Sequence, residues 1–213
     1  MISLKKLVIA VATVSITPFQ VAAQTYLEIV LDVCAHDART VQSAVASFEL
    51  RSWRPPKTNE IEKASAILTA GTLITEFSAG RGLNSPRQAA LDMQQRAKRV
   101  FSGQFPDGVH ALLDPAHEAL VMVWPQPEGQ KLSCALYGIA SEDVYELIDD
   151  LSGVGGQDDG KFIRSAWKMF REPNLGFADV QIHAATLKEH IGIEELGVAP
   201  AVNMTVSIYR LEN

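Results

Sequence analysis

Hydrophobic and polar positions are most legible between Ala119 and Leu151. Ala119 to Trp124 is an apolar run, with Leu120, Met122 and Trp124 on one side of an extended chain and Val121 and Val123 on the other. Side chains alternate along a strand, so a run apolar on both sides predicts a strand covered on both. Pro125 to Gln130 reads as a loop, because two prolines and Gly129 separate it from the next apolar run. Leu132, Cys134 and Leu136 then share one face of a second strand. Val144, Leu147, Ile148 and Leu151 repeat at the spacing of a helix stripe, with Glu146, Asp149 and Asp150 towards water. Ser141 is the expected N-cap of that helix and Gly153 its end.

The flanking segments give weaker patterns. Leu27, Val30, Leu31 and Cys34 predict a helix that His36-Asp37 interrupts. Asp37 then reads as the N-cap of a second helix burying Val41, Val45 and Phe48, which Pro55 and Pro56 stop. Thr58 to Phe77 fits a helix with Ile61, Ala64, Ile67 and Leu68 on its stripe, although Gly71 and the Thr/Ile content of 69–74 leave a strand open. Ser85-Pro86 opens a further helix carrying Ala89, Met93, Ala97 and Val100 inward. Gly103 to Pro115 and Gly153 to Gly160 read as loops. Residues 161–171 lean to a strand holding Phe162 and Trp167. Val180 to Ala184 and Met204 to Tyr209 alternate as strands, joined by an irregular connection through Pro200. This order predicts an α+β domain: an antiparallel sheet of four to five strands with helices on one face.

The first 23 residues change the picture of where the chain works. Lys5 and Lys6, the apolar run Leu7 to Ile16, and Val21-Ala22-Ala23 have the layout of a secretory signal peptide. The run is too short and too broken to predict a membrane span, and none is expected in the remainder. Residues 24–213 are then one domain, with a periplasmic or secreted location. Taking the two leader lysines from the 19 basic residues leaves 17 against 25 acidic ones, a formal charge of −8. Such a charge disfavours nucleic acid or an anionic membrane surface as partner. Cys34 and Cys134 are the only cysteines, and an even count in an exported chain predicts one disulfide closing a loop of about 100 residues.

Candidate chemistry is sparse. Gly155 to Lys161 approaches a phosphate loop, but Phe162 stands where Ser or Thr is needed, and Asp158 and Asp159 would repel phosphate. Asp149, Asp150, Asp158 and Asp159 could offer carboxylates to calcium, yet they do not fit the EF-hand register. Ser165 and Lys168 match Ser-x-x-Lys without its supporting motifs, and in a strand they would face opposite sides. His36, His110, His117, His183 and His190 contain no helical zinc spacing. No cofactor and no metal ion is expected.

A leader, Cys34 before an Ala/Val-rich helix, Trp53, and a strand cysteine followed by the Ser141 helix resemble a set of small exported bacterial proteins of unknown function with two cysteines. The resemblance covers Leu27 to Trp53 and Leu120 to Leu151 and implies no activity. The expected function is a non-catalytic exported domain that binds a protein or an envelope component. The alternative is a periplasmic hydrolase using Ser165 and Lys168 or a histidine.

Overall fold

A computed structural model describes residues 25–38, 40–78, 85–103, 105–125, 132–139, 146–150, 156–158, 163–172, 178–187 and 201–209. Within them the chain runs α1 (Tyr26–Leu31), a wide π turn (Asp32–Asp37), α2 (Val41–Glu49), a 3-10 turn (Thr58–Glu60), α3 (Ile61–Ser78) and α4 (Pro86–Ser102). The strands follow as β1 (His110–Leu113), β2 (Ala119–Pro125), β3 (Leu132–Ile139), β4 (Gly156–Asp158), β5 (Ile163–Glu172), β6 (Ala178–Leu187) and β7 (Ala201–Tyr209). They form one antiparallel sheet in the order β1-β2-β3-β7-β6-β5-β4. The α+β class and the five predicted strands are present. Two short edge strands, β1 and β4, lie in stretches expected to be loops. Neither is long enough to show a period of two, and each is held by the longer strand beside it.

Helices cover both faces of the sheet, not one. Val121 and Val123 of β2, with Leu132, Cys134 and Leu136 of β3, join one core with α1, the π turn and α2. Leu120 and Met122, the alternate positions of β2, join a second core with α3 and α4. The doubly apolar pattern of β2 therefore reported its surroundings correctly. Residues 146–150 are helical; Ile148 lies in the first core, and Glu146, Asp149 and Asp150 are exposed. Ser141, Val144, Leu151 and Gly153 of the expected helix lie outside the described residues, as do residues 1–23.

Cys34 and Cys134 are bonded, with Cα atoms 6.3 Å apart and both side chains in the first core. The π turn makes this reach possible. Ala38 N–H donates to the Val33 carbonyl at 2.8 Å, a five-residue loop wide enough to bury Val33, Cys34 and Ala35 in succession. Asp37 ends this turn and does not cap α2; Thr40 does, accepting from Ser43 N–H at 3.1 Å. Thr25 caps α1 in the same way with Glu28 returning the bond, a Thr-x-x-Glu capping box. Trp53 folds back under α2 and packs on Phe48 with ring centroids 5.4 Å apart.

On the second face, α3 is a helix through Gly71, and the strand alternative for 69–74 is overturned. Gly71 is there for a close approach: a methyl group at its α-carbon would overlap the Tyr137 ring of β3. The same shielding pushes the Tyr137 phenol up to about 12. In α4 the buried positions are Ala90 and Ala97, with Phe101 packed against the core. Val100, expected inside, is exposed, because the stripe through 90, 97 and 101 leaves position 100 about a quarter-turn away.

Two outcomes check this packing. Removing the staple with Cys34→Ala and Cys134→Ala is expected to lower unfolding stability by about 2–5 kcal/mol in denaturant titrations; an unchanged midpoint would contradict it. Gly71→Ala gains about 1 kcal/mol of helix propensity but is expected to lose about 1–3 kcal/mol to overpacking against Tyr137. Thermal unfolding should show the loss shrinking when Tyr137→Ala is added, since contacting sites are not additive.

Candidate functional site

The outer edge of β1 brings together side chains that the sequence scatters. Its hairpin to β2 is built on Asp114, a buried carboxylate. Asp114 accepts from the N–H groups of Ala116 at 2.9 Å, Glu118 at 2.6 Å and Ala119 at 2.7 Å. An aspartate that satisfies its own turn in this way replaces solvent with backbone donors. The turn holds His117 at φ 62°, a conformation costly for a residue with a Cβ.

That conformation aims the imidazole at an ion pair. Arg54 donates to both oxygens of Glu60, at 2.7 and 2.6 Å. His117 Nε2 lies 3.3 Å from Arg54 Nη2 and 3.4 Å from Glu60 Oε1. It can accept from the guanidinium when neutral and pair with the carboxylate when protonated. Lys57 N–H also donates to Glu60, at 2.8 Å. The Arg54 hydrogen bonds, then this backbone donor, and then the charges of Arg54 and His117 hold the Glu60 carboxyl down at about 2. The same hydrogen bonds from Glu60 raise Arg54.

Arg54 also begins a strand pairing that does not continue. Its N–H donates to the Leu113 carbonyl at 3.1 Å, and Leu113 N–H returns the bond at 2.7 Å. Pro55 and Pro56 follow, and proline has no N–H to extend a ladder. The two segments part, and between them opens a cleft of about 210 Å³. Pro55, Pro56, Val109, His110, Ala111 and Leu112 line its sides. Val45 and Glu49 reach it from α2, on one face of the sheet, and Phe101 and Phe105 from the other. Both helical layers thus overhang the sheet edge. The two phenylalanines brace each other edge to face at 5.5 Å. The volume is below the roughly 300–1,000 Å³ of most small-molecule sites, so it suits a side chain or two better than a cofactor.

Of the candidates read from the sequence, His117 meets the Arg54–Glu60 pair and His110 lines the cleft; the others do not converge here. Ser165 is buried and Lys168 half-buried on β5, three residues apart in a strand and so on opposite faces. His36 and His110 are exposed, and His183 sits in β6 opposite Trp167. His190 lies outside the described residues. Residues 156–158 of the glycine-rich stretch are strand β4, paired with β5, and the rest of that stretch lies outside the described residues. Among the candidate calcium ligands, Asp149 and Asp150 are on the described helical turn and Asp158 is in β4, while Asp159 lies outside. Trp167 and Met169 form an exposed apolar pair on β5.

Arg54, Glu60 and Asp114 were not singled out in the sequence, and His117 was named there only as one of five histidines without zinc spacing. Asp114-Pro115 is a turn-initiating pair that could have marked the hairpin. Nothing local signals that Arg54 meets a histidine 63 positions later. Compared with family models, curated proteins and solved structures, the chain matches none.

The Glu60 shift has a testable sign. Its folded carboxyl is depressed, so the stability it contributes is full above the ordinary value of 4.5 and is lost as pH falls towards about 2. Glu60→Gln should flatten the acid limb of a stability–pH curve measured by urea unfolding between those values. Parallel curves for the two proteins would contradict the clamp.

Proposed function

We propose that this protein is an exported, non-catalytic domain that binds a protein or envelope component at the β1-edge cleft. The observation that carries the reading is the cleft itself: apolar side chains from both helical layers and the proline pair, set around the outer edge of a short strand. An apolar concavity beside an open strand edge can take the side chains of an added extended chain. The buried disulfide supports export, because such bonds persist in oxidising compartments. The signal-peptide layout of residues 1–23 points the same way. Among the described residues no helix is long and apolar enough to cross a membrane. The opposite-facing placement of Ser165 and Lys168 does not favour the hydrolase alternative.

The test uses the full chain, expressed with its leader in a host that exports it. A photo-reactive side chain placed at Glu49, on the wall of the cleft, is expected to give a discrete covalent adduct in the envelope fraction. The same group at Gln95, exposed on α4, is expected to give none. Equal labelling at both positions, retention of the chain in the cytoplasm, or a hydrolytic activity abolished by Ser165→Ala would contradict the proposal.

A further inference from the structure

The cleft has the shape of a missing strand. In an antiparallel pair the backbone groups of successive residues point alternately to the two neighbours. Leu113 spends its N–H and carbonyl on Arg54, at the outer edge. Leu112 therefore faces β2 and Ala111 faces outward again, in the same direction as Leu113. Were the Arg54 pairing to continue, position 56 would stand opposite Ala111, and Pro56 has no N–H to give. Among the described residues none hydrogen-bonds to Ala111 across this edge. One donor and one acceptor are thus left pointing into a slot whose side walls are apolar and supplied from both faces of the sheet. An open strand edge is a template for another extended chain.

The mouth of the slot adds a charge. Glu49 lines it, is exposed, and makes no ion pair among the described residues. A lysine or arginine beside the inserted segment would meet this carboxylate.

We propose that the slot receives an extended segment of a partner protein, an alternating stretch with apolar β-branched side chains and a flanking lysine or arginine, which pairs antiparallel with β1 through Ala111. This rests on the reading of the cleft as a binding site, and names what binds there. The proline pair has two consequences. It keeps the chain's own residues from closing the edge, and it leaves only a short stretch of β1 for a partner. Ala111 exchanges two hydrogen bonds with the incoming residue. Side chains seated between Val45 on one wall and Phe101 and Phe105 on the other supply the remaining contacts.

The structure offers a clean variant. Proline is tolerated in edge strands where its nitrogen faces away from the sheet. Ala111→Pro removes the outward donor and leaves the β1–β2 ladder its bonds through His110 and Leu112. The probe is a displayed library of seven-residue peptides, panned on the oxidised full-length protein. Expected is enrichment of alternating Val, Ile or Thr with a basic flank and no proline. An enriched peptide, made synthetically, should bind Ala111→Pro about tenfold more weakly than the parent protein. It should lose its preference for a basic flank on Glu49→Gln, and it should slow hydrogen exchange of the Ala111 amide. An unchanged unfolding midpoint shows that the proline variant is folded; if it is not, the amide exchange measured on the parent protein decides alone. No enrichment, enriched peptides of helical periodicity, or an Ala111 amide that exchanges as before would overturn strand addition. Adducts that still form at Glu49 in that case would leave the broader binding role standing.

Discussion

The bond between Cys34 and Cys134 sets the relation between the two halves of this fold. It joins the π turn after α1 to the middle of β3, across a sequence separation of 100 residues, inside the larger core. In the chain-entropy model such a loop removes on the order of 4–5 kcal/mol of freedom from the unfolded chain. Its structural effect is more specific. The helical layer of α1 and α2 has short elements, and helices of this length are marginal without tertiary support. Anchoring the turn between them fixes Val41, Ala44 and Phe48 against the sheet. It also fixes Val45 and Glu49, which form one wall of the edge cleft.

The opposite wall depends on a different constraint. Gly71 lets α3 lie on Tyr137 with no side chain between them, and α4 packs on α3 with Lys98 paired to Glu62 at 3.0 Å. That pair is exposed and adds little; the apolar contacts of Ala97 and Phe101 hold the helix. From there Phe101 and Phe105 extend past β1. Two backbone hydrogen bonds hold Arg54 to Leu113, next to the cleft-lining Pro55 and Leu112, and Glu60 and His117 fix the Arg54 side chain. The polar cluster and the apolar slot are therefore parts of one edge, and the prolines between them decide where pairing stops.

Much of this was legible in the chain, for identifiable reasons. The disulfide followed from a count of two cysteines behind a leader-like pattern at residues 1–23. The strand β2 followed from its apolar run, β3, β6 and β7 from alternation, and α3 from its stripe, because each is long enough to display its pattern. The layout of layers was misjudged even though the doubly apolar β2 already indicated cover on both faces. Strand β1 was missed because four residues carry no period, and its existence depends on β2. The site was hardest to see. Arg54 and Glu60 are near neighbours in sequence, but His117 joins them only through a hairpin that the buried Asp114 organises. Pro55 and Pro56 were read as the end of a helix; their larger effect is to leave an edge unpaired, and that depends on which strand they run beside.

The central claim is that the staple holds the α1–α2 layer, and with it one wall of the edge cleft, against the sheet. Hydrogen exchange on the oxidised and the reduced protein tests it most directly. The account predicts that reduction speeds exchange across residues 26–49 far more than across β3 or α3. Exchange that is unchanged on reduction, or accelerated equally in all these segments, would contradict it.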